Sequence, residues 1–141
     1  MIFQKILVPL DGSEHSGRAL EASIELAKGL DSRLALFTVY SLTGAATPSR
    51  EANVITIQRA RDSCKKILAE AEAKVSSETI EVETQLTQGD AVQEIVKKSR
   101  EGKFDLIVMG ARGLSTIKKL FIGSVSEGVI KNAPCPVLIV K

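Results

Sequence analysis

At 141 residues the chain falls within the range of one domain, 1–141, and a domain near this size buries on the order of 70% of its unfolded surface, enough for a core without staples. Nineteen basic against seventeen acidic side chains leave a net charge of +2, too balanced for nucleic acid to be the main partner, and four Phe with one Tyr give no stacking platform. No stretch approaches the ~18 apolar residues of a membrane span, and Lys5, Asp11 and Gly12 set the N-terminus apart from a signal peptide, so a cytoplasmic, reducing setting is expected.

Ile2 to Leu10, rich in branched apolar residues and closed by Asp11-Gly12, reads as a buried strand. Ser13 or Ser16 can cap the helix that follows, in which Leu20, Ile24, Ala27 and Leu30 share a face and Gly29 with Asp31-Ser32 marks the stop. Leu34 to Tyr40 makes a second strand. Ser41 to Ser49, punctuated by Gly44 and Pro48, is a loop before a long helix over about Arg50 to Val75. The apolar stripe of that helix runs Ile57, Ala60, Cys64, Ile67, Ala71, Val75, which makes Cys64 a small core residue.

Ile80 to Leu86 alternates and suits a strand near a sheet edge. Asp90 and Gln93 have the spacing of an N-terminal cap for a third helix with Val92, Ile95 and Val96 inward. Leu106 to Met109 is a fourth strand, Val125 to Lys131 a fourth helix and Val137 to Val140 a fifth strand, with Cys135 between two prolines just before it. Gly128 inside the fourth helix marks close packing on the sheet. Strands alternating with helices imply an α/β fold with a parallel sheet covered on both faces.

The chemistry concentrates after the fourth strand. Gly110-Ala111-Arg112-Gly113 begins where the apolar run stops, and Gly123-Ser124-Val125-Ser126 follows nine residues later. Glycines there permit φ > 0 and let backbone approach a ligand without a Cβ in the way. Ser124 and Ser126 offer hydroxyls and N–H groups at a helix N-terminus, where the dipole favours an anion, and Ser124 with Glu127 also has capping-box spacing. Neither a P-loop nor a G-x-G-x-x-G fingerprint is present.

The full pattern, G-x2-G-x9-G-S, resembles the nucleotide-binding signature of the universal stress protein family, in its ATP-binding branch. Ile6-Leu7-Val8-Pro9-Leu10-Asp11-Gly12-Ser13 is similar to the family's first strand and acidic turn, and Asn132 to Val140 to its last strand. The resemblance implies one doubly wound five-stranded parallel sheet of order 3-2-1-4-5 with four helices, the adenine nucleotide alpha hydrolase-like architecture. Winding then reverses between strands one and four, where open α/β sheets bind ligands beyond the carboxyl ends of their strands. It further implies that Pro9 and Asp11 lie near the nucleoside and Val39 meets the adenine. Gly110, Gly113, Gly123, Ser124, Val125 and Ser126 would surround ribose and phosphates.

Asp11 beside Gly-Ser reads as a turn residue or as a carboxylate accepting from ribose hydroxyls, and the glycine pattern favours the second. Arg112 reads equally as a phosphate partner and as a solvated loop arginine. Lys118 and Lys119 add long-range attraction only, His15 is a surface residue, and Ser16 and Ser63 are helix residues. With no water-activating base, carboxylate pair or nucleophile elbow in evidence, retention of a nucleotide is favoured over turnover. The expected function is therefore an ATP-binding stress-response or signalling module. Alternatives are a slow ATPase or phosphotransferase with Mg2+ bridging the phosphates, and a dimeric scaffold without an obligate nucleotide. In the implied order the apolar run Val137-Leu138-Ile139-Val140 lies at a sheet edge, and homodimer formation through it is expected.

Overall fold

The computed structural model describes residues 2–41, 50–113 and 122–141. The first strand, β1 (Lys5–Pro9), is shorter than its apolar run. Phe3 turns to φ 62, Ile2 is left 72% exposed, and the Gln4 and Lys5 N–H groups donate to the carboxylate of Asp105 at 3.0 and 3.1 Å instead of to a neighbouring strand. Ser13 is the N-cap of α1 (Glu14–Leu30), its hydroxyl accepting from Ser16 N at 3.2 Å. That helix runs through Gly29, and Asp31, in the left-handed conformation at φ 55, ends it.

β2 (Arg33–Tyr40), α2 (Arg50–Ser76), β3 (Val82–Gln88), α3 (Ala91–Glu101), β4 (Leu106–Gly110), α4 (Ser124–Asn132) and β5 (Val137–Val140) follow. All strand pairs are parallel and the sheet order is β3-β2-β1-β4-β5, as the resemblance implied. Alternation along each strand divides the core in two. Ile6, Val8, Leu34, Leu36 and Val108 face α1 and α2, while Leu7, Phe37 and Ile107 face α3 and α4.

Several local expectations change. On α2 the buried residues are Leu68, Ala71 and Val75, and Cys64 is half-buried rather than core, because only the last turns of this helix lie over the sheet. Asp90 caps α3 as expected, accepting from Gln93 N at 3.0 Å. The α4 helix begins one residue early, with Gly123 as N-cap and no side-chain cap bond, so Ser124 does not form the anticipated capping box. Glu127 reaches forward to Lys131 at 3.0 Å instead. Gly128 does mark a close approach, but to α3: a Cβ there would lie 2.7 Å from Val92 Cγ2. The loop signals Gly44 and Pro48, and Lys118 with Lys119, lie outside the described residues.

β1 and β4 stay in register only over Ile6–Leu106 and Leu7–Ile107, whereas β1 and β2 pair over five positions. The sheet therefore parts at the carboxyl ends of β1 and β4. The reversal of winding falls at that parting.

Candidate functional site

Why the sheet opens there can be read from Gly110. A Cβ on it would lie 2.8 Å from His15 C and Cβ and 2.9 Å from Ser16 N, so the first turn of α1 rests on the last residue of β4. That packing makes Gly110 obligatory for a reason other than ligand approach. It also corrects the placement of His15, which is half-buried with its Nδ1 enclosed, not a surface residue. None of Gly110, Gly113 and Gly123 takes a positive φ; among the described glycines only Gly12 (82°) and Gly89 (154°) do.

The crossing to α4 is held by Ser126. Its buried hydroxyl reaches the carbonyls of Gly110 and Ala111 at 2.8 and 2.9 Å, and Gly123 N donates to Ala111 O at 2.6 Å. The Ser126 O–H is thus committed to the strand end and is not a free donor, contrary to expectation. The N–H groups of Ser124, Val125 and Ser126, in the first turn, have no acceptor within the helix. They carry the positive end of the α4 dipole.

Between these elements lies a cavity of about 310 Å³, at the lower end of small-molecule sites. All ten sequence-selected residues line it: Pro9, Asp11, Val39, Gly110, Arg112, Gly113, Gly123, Ser124, Val125 and Ser126. Six others were missed as site residues. Phe37, Ile95 and Met109 form an apolar inner wall with Leu10, Ala91 stands at the start of α3, and Ser16 is a buried wall residue rather than a plain helix position. The Ser-x-x-Ser spacing of the α1 cap was the available signal for Ser16, whose hydroxyl donates to Ser13 O at 3.0 Å.

Asp11 fills its turn reading and leaves its second carboxylate oxygen toward the cavity's glycine segment. Oδ1 accepts from Ser13 N at 2.9 Å, closing the turn into α1. Oδ2 faces the glycine loop so closely that a Cβ on Gly113 would collide with it. Among the described lining residues Asp11 is the only acid and Arg112, half-buried, the only base. The chamber can thus take a flat apolar body at its inner end, a polar group beside Asp11 and an anion at the start of α4.

The fold is a doubly wound α/β domain with a crevice at its switch point, the place where open sheets of this kind hold ligands. The chain is a member of the universal stress protein family, whose model matches residues 2–141. It is 36% identical to the universal stress protein YxiE of Bacillus subtilis, over 99% of this chain and all of that one. The structure of universal stress protein UspA from Lactobacillus plantarum superposes with a TM-score of 0.92 at 22% identity, covering 100% of this chain and 99% of that one, and shares the fold. A universal stress protein from Archaeoglobus fulgidus in complex with dAMP has a TM-score of 0.67 at 26% identity, with both chains fully covered. Among the described residues no helix is long and apolar enough to cross a membrane.

Proposed function

We propose that this protein binds an adenine nucleotide, ATP foremost, in the cavity between β1, β4 and α4, and acts as a nucleotide-dependent stress-response or signalling module of the cytoplasm. The observation that carries this is convergence. Ten residues chosen from separate segments line one chamber, and its polarity is graded from an apolar inner wall to a helix N-terminus. Adenine suits the wall of Phe37, Val39, Ile95 and Met109. Asp11 would accept from ribose hydroxyls, and the phosphates would meet Arg112, Gly113, Gly123 and the first-turn N–H groups of Ser124, Val125 and Ser126. The relative in complex with dAMP supports the class of ligand.

The test has two parts. Nucleotide released from denatured, purified protein is identified by mass spectrometry, with ATP expected. Calorimetry then compares ATP binding to wild type and Gly123→Val, whose Cβ would stand 3.4 Å from Ala111 O and Arg112 Cα and crowd the proposed phosphate cradle. A folded Gly123→Val protein with wild-type affinity would overturn the placement. Wild-type protein that neither carries nor binds any adenine nucleotide would overturn the reading itself, leaving the scaffold alternative.

A further inference from the structure

A second concavity lies across the sheet. Val39 faces the first cavity, and the next residue, Tyr40, points to the other face, as strand alternation requires. There, between α2 and the carboxyl ends of β2 and β3, Tyr40 and Gln88 form one wall of an open groove of about 460 Å³. Val54, Gln58, Arg61 and Lys65 of α2 line the opposite wall.

The chemistry of that lining is one-sided. No carboxylate is among the described lining residues, and neither Arg61 nor Lys65 has an acidic partner within 4.0 Å among the described residues. Two cations at i and i+4 on one helix face repel each other, and Arg59 and Lys66 beside them, against the single acid Asp62, deepen the local positive field. Tyr40 Oη donates to Gln88 Oε1 at 3.3 Å, which turns the Gln88 amide so that its N–H groups remain to be used. The groove therefore presents donors and cations, with Tyr40 and Val54 supplying a flat apolar surface.

We propose that this groove binds a soluble phosphorylated metabolite, its phosphate held by Arg61 and Lys65 and its body resting against Tyr40. Charge complementarity selects the phosphate: guanidinium and ammonium groups one helical turn apart can hold one polyanion together. The site is separate from the proposed nucleotide cavity, and β2 is the element common to both.

The test is a titration of the full-length, 15N-labelled protein with inorganic pyrophosphate, followed by amide and Arg side-chain NMR shifts. Saturable shifts are expected at Tyr40, Gln88, Arg61 and Lys65, and the Arg61→Gln/Lys65→Gln variant should weaken that binding by about tenfold or more. Shifts at Gly123 to Ser126 should be the same in variant and wild type. Both substituted residues are exposed, and an unchanged amide spectrum elsewhere verifies the fold. No saturable shift at the groove, or equal affinity in the variant, would overturn the proposal. So would sedimentation of the protein with anionic phospholipid vesicles through these residues while pyrophosphate leaves them unshifted.

Discussion

The hydroxyl of Ser126 lies 2.8 Å from the carbonyl oxygen of Gly110 and joins the first turn of α4 to the last residue of β4. The bond is buried and spans the whole glycine-bracketed segment, so it fixes where the helix N-terminus points. Ser126→Ala removes the donor and leaves two strand-end carbonyls without it, at an expected cost of about 1–3 kcal/mol. Urea unfolding would measure this, and calorimetry should show weaker ATP binding because the first-turn N–H groups lose their anchor. Unchanged stability would show that the bond contributes nothing net.

Gly110 and Gly113 separate two kinds of glycine. At Gly110 a methyl would meet the backbone of His15 and Ser16, which cannot move without shifting α1, so Gly110→Ala is expected to destabilise the fold by about 1–3 kcal/mol or more. At Gly113 the obstacle is the exposed Asp11 side chain, which can swing aside. Gly113→Ala should keep stability within about 0.5 kcal/mol and instead lower nucleotide affinity by displacing the Asp11 carboxylate. Thermal unfolding and calorimetry on the pair distinguish the two. Equal stability losses would contradict the assignment.

The β/α alternation and both halves of the glycine pattern were legible in the sequence because each rests on local signals: branched apolar runs, caps and turn residues. What escaped depends on residues far away. β1 starts late because Asp105, a hundred positions on, takes the N–H groups of Gln4 and Lys5. α4 starts early because Gly123 donates to Ala111, twelve positions before it in the chain. Phe37, Ile95 and Met109 read as ordinary core, since nothing local distinguishes an apolar residue that meets packed neighbours from one that meets a void.

Burial pushes both thiols up, and at Cys135 the charge of Asp105 adds to it. The folded chain therefore holds the thiol proton above the pH at which an unfolded chain releases it. Its contribution is fully present below the ordinary thiol range and is lost as pH rises through the folded value. Alkylation should follow the thiolate, so Asp105→Asn is expected to speed Cys135 modification near pH 8 several-fold. Cys64, with burial alone acting on it, is the internal reference, because general loosening would accelerate both. Peptide mass spectrometry of iodoacetamide-treated protein reads the ratio, and equal acceleration would discount the Asp105 effect.

The last prediction concerns assembly. β5 is an outer strand of the sheet, paired with β4 on one side only. Val137 and Ile139 contact the core on the α3–α4 face and Val140 contacts the other, yet Leu138 remains 41% exposed. A short apolar edge with unpaired N–H and C=O groups is a template for another strand. Pairing with its two-fold mate would close that edge in an isologous contact and cover Leu138. Pro134 and Pro136 lack N–H groups, so the ladder would stop short of them. We therefore expect a homodimer through Val137–Val140. Leu138→Lys places a charge in the proposed contact without touching a buried core position, and should raise the dimer dissociation constant at least about tenfold, a loss of about 1.4 kcal/mol. Removing residues 137–141 should abolish the dimer and also lower stability, because β4 loses its outer neighbour. Light scattering across a concentration series reads both effects. A wild-type monomer at high concentration, or a dimer indifferent to Leu138→Lys, would place the interface elsewhere or nowhere.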